Sequence, residues 1–510
     1  MNSYDQLEYK SLPFLQSTPA HLFTLAKIFG HSAPDFKSAR VLEIGCASGG
    51  NVIPLAYQFP NAIFYGFDYS EKQIIKGQQL IKSLELKNIQ LEQVDLRQFD
   101  LNQDKFDYII AHGVFSWVST ELQEQLFNVC NHLLSDTGLA YISYNTYPGW
   151  NQLNSIREMM LYHTRHIDDP LEKIHASRHI FEVIQEQSLK DTPYSNFLNQ
   201  EAIKISKAEN YYLYHEHLEQ DNHPIYFHDF MKMAHQHQLS YLCDANLQTI
   251  LKDHQVSNKI KNQLSQFKDP VEKEQFVDFL VNRRFRSSIL IKSHHQHNPK
   301  FELKDLNGFY FTSTFKTKSN IDPSQLLDTK PITFYKHNLE LTSKHPISKC
   351  LIYLLQQQYQ KPIALNDLTQ KVANLTKQPP EAIQNYFYHS FNLQALILDG
   401  AIIPFSFNPN TSITITEYPI ASKVARVLAE YGNEVTNLYH TSVKLNDFDC
   451  ELLKLLDGSK TFNQLLEHVA QKFINTQTEI DISKISLSHR LKTSLSKFAQ
   501  NGLLEEISHT

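Results

Sequence analysis

The chain has 510 residues, a formal net charge of −6 and 41% hydrophobic residues, and is therefore too long for one hydrophobic core. Its acidic balance argues against a protein that blankets nucleic acid, which needs concentrated Lys and Arg. The N-terminal MNSYDQLEYKSLPF has no apolar signal region and no apolar run reaches the ~20 residues of a membrane-spanning helix, so a cytoplasmic protein without a membrane segment is expected.

The chain opens with an aromatic lead (Tyr4, Tyr9, Pro13, Phe14). Thr18 then reads as the N-cap of a helix with Pro19 at its first position and Leu22, Leu25, Ala26 and Phe29 on its buried face. Gln16, Ser17 and Thr18 end the lead, which is a candidate cover for a ligand. From Val41 to Tyr144 apolar strands (41–44, 63–67, 89–94, 108–111, 139–143) alternate with segments of helical spacing (54–59, 71–84, 122–134). This alternation predicts an α/β, Rossmann-like domain over residues 1–150, with a mainly parallel sheet covered by helices on both faces. Residues 151–210 read as a polar helical arm with apolar positions too sparse for a core of its own, and a dimer contact is one role for it. A Tyr/His-rich stretch and RRFRSSILI follow in 211–300, with a break expected at Asn298-Pro299. Residues 301–415 and 416–510 each read as mostly helical, winged-helix-like units, with matching segments at His345–Ala373 and Phe448–Phe473. Neither is basic, so docking of protein or a structural role is expected rather than DNA reading.

The chemistry starts at Arg40–Asn51, RVLEIGCASGGN. A buried strand ending in Gly45, Gly49 and Gly50 and turning into a helix lets backbone approach a ligand closely. Alone this pattern is weak. Downstream, Asp68 ends the second strand, where a carboxylate can accept ribose hydroxyls, and Asp95 follows the third, where an acceptor can meet an adenine amino group. Ala47 replaces the middle glycine of the dinucleotide fingerprint, and the loop carries no cation for a pyrophosphate. These departures favour a cofactor without phosphates, S-adenosylmethionine, over NAD.

The order VLEIGCASGGN, GFDYS, VDL, FDYIIAHGVFSWV and SYNTYPGW resembles a class I S-adenosylmethionine-dependent methyltransferase. YLYHEHLEQDNHPIYFHDF with RRFRSSIL is similar to the methyltransferase regulatory domain of one bacterial group, and TNLYHTSVKLNDFDCELLKLLDG to that group's C-terminal part. The group includes rickettsial enzymes that methylate protein lysines. The resemblance implies Gly45, Gly49, Asp68 and Asp95 as cofactor-binding residues; Gln16, Glu43, Ala47, Asn51, Leu96 and His112 are the further candidates around them.

The acceptor is expected beyond the fourth and fifth strands, in AHGVFSW and SYNTYPGW, which hold both tryptophans of the chain. His112, Trp117, Tyr144, Asn145 and Tyr147 are the candidate catalytic residues, and Trp150 lies beside them. Aromatic walls suit a methylated ammonium, Asn and Tyr oxygens orient an amine, and His112 is the general-base candidate. Core packing is the alternative for each aromatic, and a structural histidine the alternative for His112. The five cysteines are scattered without a CxxC pair and predict a reducing compartment, and the His pairs, including His215/His217, read as incidental surface residues rather than metal ligands. The Arg283/Arg284/Arg286 cluster reads as a solvated or ion-paired turn, with contact to an acidic partner as the alternative. A protein lysine amine is the expected acceptor; a small-molecule or nucleic-acid methyltransferase, and a non-catalytic cofactor-binding regulator, are the rivals.

Overall fold

In a computed structural model of the chain, residues 7–188, 190–250, 256–295, 301–303, 306–336, 339–357, 361–475 and 484–506 are described. Tyr4, Asn298 and Pro299 lie outside them. Seven strands form the central sheet: β1 (Arg40–Ile44), β2 (Ile63–Asp68), β3 (Ile89–Gln93), β4 (Phe106–Ala111), β5 (Leu134–Asn145), β6 (Leu239–Asp244) and β7 (Phe285–Lys292). Their order is β3-β2-β1-β4-β5-β7-β6, with β1 to β5 parallel and β7 antiparallel to both its neighbours. The strand order reverses between β1 and β4, which opens a crevice at their carboxyl ends.

Apolar residues on both faces of β1 and β4 demand cover on both sides. The helices Pro19–Ile28, Val52–Gln58 and Glu71–Leu84 bury Leu22, Leu25, Ile53, Leu55 and Ile74 on one face. Thr120–Leu133 and Phe227–Gln236 bury Leu126, Phe127, Phe230 and Met231 on the other. Thr18 caps the first helix by accepting from His21 N–H, with Pro19 at the first position as expected.

The sheet crosses the boundary drawn at residue 150. Its last two strands come from LSYLCD and FRSSILIK, inside the stretch read as a separate regulatory segment. The alternating strand–helix signal breaks there because the helical arm is inserted between β5 and β6. That arm also holds a small core of its own, formed by Ile156, Met160, Ile174, Phe181, Leu198 and Ile205, which the sparse apolar spacing concealed.

The first C-terminal unit has a three-stranded sheet (Ile363–Ala364, Tyr310–Ser313, Ile402–Phe405) backed by the helices Pro346–Gln357, Leu365–Thr376 and Pro380–His389. Its Phe311, Leu351 and Leu368 share one continuous core with Leu25 and Ile53, which pack on the seven-stranded sheet. The second unit packs the helices Lys423–Tyr431, Asp447–Lys454, Phe462–Asn475 and Lys484–Gln500 on a separate core, with the hairpin Glu434–Thr436/Ser442–Lys444 at its edge. Among the described residues no helix is long and apolar enough to cross a membrane.

Candidate active site

The loop after β1 is shaped by three left-handed residues, Gly45 (φ +69°), Ala47 (φ +48°) and Gly49 (φ +77°). At Gly45 a Cβ would also stand 2.5 Å from Val114 Cγ2, so no larger residue fits without a shift. Ala47 adopts a conformation that L side chains disfavour, and its N–H donates to Asp68 Oδ2 at 2.8 Å. The other Asp68 oxygen accepts the Ser70 N–H at 2.9 Å, so Asp68 braces the end of β2 to the loop.

The N-terminal lead lies across this loop. Gly50 N–H donates to Ser11 Oγ at 2.7 Å and Phe14 N–H to Asn51 Oδ1 at 2.9 Å. The Phe14 ring sits 3.9 Å from that of His112. A Cβ on Gly50 would stand 2.3 Å from the Ser11 carbonyl oxygen, which is backbone and cannot turn aside. Gly50→Ala is therefore expected to unseat the lead and lower stability by about 1–3 kcal/mol, measured as a lower Tm with faster amide exchange in residues 7–17.

Beneath the loop, Glu43 is 4% exposed. Its Oε1 accepts from Asn51 Nδ2 at 2.6 Å, and its Oε2 is buried with no partner among the described residues. Burial pushes the Glu43 acid up to about 8, the charge of Asp68 adding to the effect and the Asn51 hydrogen bond opposing it.

A cavity of about 520 Å³ extends from this point. Gln16, Glu43, Gly45, Ala47, Asn51 and His112 line it, together with Trp117, Asn145, Trp150 and Phe285. The arm adds Glu201 and Lys204 to the lining, the stretch after it Tyr212, Glu216 and His217, and the lead Tyr9. Glu216 lies in a single π turn, Tyr214–Leu218, and forms no ion pair among the described residues. Burial raises its acid to about 7. Beside it His217 Nδ1 is buried without a partner, and burial lowers the ring to about 4. A larger cavity of about 640 Å³, lined by Leu25, Ile402 and Tyr439 among others, lies across Gln16 and Phe285 and contains no glycine loop.

Eight of the sequence-predicted residues thus meet around one space: Gln16, Glu43, Gly45, Ala47, Asn51, His112, Trp117 and Asn145. Gly49 and Asp68 stand behind the loop and shape it. Asp95 and Leu96 lie outside the cavity wall: the Arg97 guanidinium donates to both carboxylate oxygens of Asp95, and Leu96 packs in the core with Phe67 and Phe99. Tyr144 is a correction. It points to the opposite face of the sheet, where its ring stacks 4.0 Å from Phe230 and its hydroxyl meets Ser288 Oγ at 2.9 Å. Tyr147 packs 5.1 Å from Tyr226, also away from the cavity. His112 does line the cavity, but burial lowers its pKa to about 4, and its Nδ1 is engaged by Tyr141 at 2.8 Å and Ser143 at 3.3 Å. A ring so reluctant to take a proton is a poor base and a good fixed wall.

Sequence reasoning passed over the arm. His215 is buried, with Nε2 donating to the Leu7 carbonyl, and His217 lines the cavity, so neither is a surface residue. The density of Tyr and His in YYLYHEHL was the signal available. Of the arginine cluster, Arg286 is fully buried on Asp278 and Glu274, and Arg284 bonds Glu201 at the cavity wall. Asp136, His294 and His295 bring ligand atoms within 4.8 Å of one another on the surface, apart from this site.

Three family models match the chain: a methyltransferase domain over residues 35–217, a predicted methyltransferase regulatory domain over 209–292, and the PKMT C-terminal winged helix domain over 417–506. An uncharacterized Rickettsia prowazekii protein is 34% identical over 480 residues, covering 92% of this chain and 85% of the relative. The structure of PKMT2 from Rickettsia typhi in complex with AdoHcy superposes with a TM-score of 0.87 at 30% identity, covering 97% of this chain and 99% of that one.

Proposed function

Since the chain belongs to the class I methyltransferases that carry a methyltransferase regulatory domain and a PKMT-type winged helix, we propose that it transfers a methyl group from S-adenosylmethionine to lysine amines of a polypeptide. The observation that carries this reading is one cavity lined by two carboxylates, Glu43 and Glu216, that form no ion pair among the described residues. A buried acid raised in this way is stabilised by a neighbouring ammonium.

The donor end fits the cofactor. The unpartnered Glu43 Oε2 suits the ammonium of its amino-acid moiety, and Gly45 and Ala47 let backbone approach it. Asp68, held at the end of β2 by the Ala47 and Ser70 N–H groups, stands where a carboxylate can meet ribose hydroxyls. Gln16 and His112 close the wall, with Phe14 over the ring of His112.

When bound, S-adenosylmethionine supplies an electrophilic methyl group on a positively charged sulfur. The chain must then seat the amine, exclude water and remove a proton. Neutralising a lysine ammonium at pH 7 costs about 4–5 kcal/mol, so a matched proton acceptor matters. Glu216 is that acceptor: its raised acid sits near the operating pH, while His112, lowered to about 4, is not suited to the task. Tyr9 and Tyr212, whose hydroxyls feel the Glu216 charge, flank the acceptor amine with aromatic surface. Asn145 and the two tryptophans line the same cavity.

The test is incubation of the full chain with methyl-tritiated donor and cell lysate, followed by separation into protein, nucleic acid and small molecules. Label is expected in protein. Label confined to nucleic acid or small molecules overturns the acceptor half, and no label despite S-adenosylhomocysteine binding identifies a regulator instead of an enzyme.

A further inference from the structure

The second C-terminal unit reaches into the donor end of the catalytic domain. The turn joining its hairpin strands carries His440, which is 4% exposed and left-handed at φ +58°. Its Nε2 stands 2.9 Å from Oδ1 of Asn51, itself buried at the start of the helix after the glycine loop.

The orientation of the Asn51 amide follows from its other partners. Phe14 N–H can only donate, and it points at Oδ1 from 2.9 Å. Glu43 Oε1 lies 2.6 Å from Nδ2 on the opposite side. Oδ1 is therefore the acceptor for His440 as well, and His440 carries its proton on Nε2. Burial lowers His440 to about 3, so the neutral donor form persists across the working pH range.

The turn is rigid. Asn437 Oδ1 accepts the N–H groups of Tyr439 at 3.1 Å and Thr441 at 2.8 Å, and His440 N–H donates to the Asn437 carbonyl at 3.0 Å. Further contacts dock the unit around it: Gln58 Nε2 donates to the Leu438 carbonyl at 3.0 Å, Lys423 pairs with Glu85 at 2.7 Å, and Glu434 pairs with Lys10 of the lead. One hydrogen-bonded chain thus runs from the C-terminal unit through Asn51 to Glu43, and the same Asn51 oxygen holds the lead.

We propose that the C-terminal winged-helix unit is a working part of the donor site, with His440 a positioning residue that acts through Asn51 on Glu43 and on the lead, so that cofactor binding and docking of this unit are thermodynamically linked. The proposal rests on the reading of the donor end as the S-adenosylmethionine site. It makes the accessory unit a control point for the catalytic domain: whatever loosens its docking weakens cofactor binding, and bound cofactor tightens its docking by the same factor.

The test uses the full chain, with S-adenosylhomocysteine affinity measured by calorimetry and the Tm of the free protein measured beside it. His440→Leu removes the donor and is expected to weaken binding about tenfold. His440→Gln keeps a terminal N–H and is expected to stay within about threefold of the unsubstituted chain. A purely structural role lowers the Tm of His440→Leu and leaves its affinity unchanged while folded, which overturns the proposal. If His440→Leu does not fold, amide exchange of residues 434–446 in the unsubstituted chain decides: slowing on addition of S-adenosylhomocysteine supports the linkage, and unchanged exchange overturns it. An unsubstituted chain that binds no S-adenosylhomocysteine overturns the donor reading itself.

Discussion

Glu43→Gln is expected to weaken S-adenosylhomocysteine binding by at least about tenfold, and to abolish its dependence on pH between 6 and 8. The unsubstituted residue is buried, with one oxygen bonded to Asn51 and the other without a partner, and its acid stands at about 8 instead of its usual 4.5. In the free chain at pH 7 it is therefore mostly protonated. An ammonium placed at Oε2 favours the carboxylate, so binding expels a proton, and affinity rises as pH climbs from 6 towards 8. Above about 8 the free chain is already ionised and this gain ends. Calorimetry in buffers of different protonation enthalpy reads the released proton directly. The free chain carries the opposite signature. A raised folded-state pKa contributes stability that is intact below 4.5 and lost as pH rises through about 8, so the unsubstituted protein loses Tm between pH 6 and 9 relative to Glu43→Gln.

Glu216→Gln is expected to lower kcat about a hundredfold at pH 7 with S-adenosylhomocysteine affinity unchanged. The residue lines the cavity from the turn Tyr214–Leu218, and no hydrogen bond or ion pair joins it to the glycine loop among the described residues. Tyr9 from the lead and Tyr212 and His217 from the stretch after the arm line the same cavity, and burial holds His217 at about 4, below the assay range. The unsubstituted enzyme gains rate as pH rises through about 7, where Glu216 becomes a carboxylate. The variant instead depends on the spontaneous supply of free amine, which grows about tenfold per pH unit up to ~10.4, so the deficit narrows in alkaline assays. A deficit constant from pH 6 to 10 would assign Glu216 to binding rather than to proton transfer.

The donor half was legible because its signals are local. RVLEIGCASGGN, GFDYS and the strand–helix alternation sit within short windows, and backbone geometry at Gly45 and Asp68 follows from them. The fifth strand shows the limit. Period-two alternation puts Ser143 and Asn145 on the site's face and Tyr144 on the other, so neighbouring candidates on this strand cannot both reach the cavity. The acceptor end was hidden because Glu216 and His217 belong to an inserted arm, and periodicity reports that a helix is buried without saying against what. β6 and β7 were detached from their sheet for the same reason. His440 is further still from the loop it serves, in a unit with its own core, and nothing in NLYHTS marks a buried partner for Asn51.

Methyl transfer to a lysine amine of a polypeptide is decided by the chemical identity of the methylated residue. Protein labelled by the full chain and methyl-tritiated donor is hydrolysed in acid and its amino acids separated. N-methylated lysines are expected to carry the label, and to lose it when Glu216→Gln replaces the unsubstituted enzyme at neutral pH. Label released as volatile methanol from carboxyl esters, or found on histidine or arginine, would contradict the account.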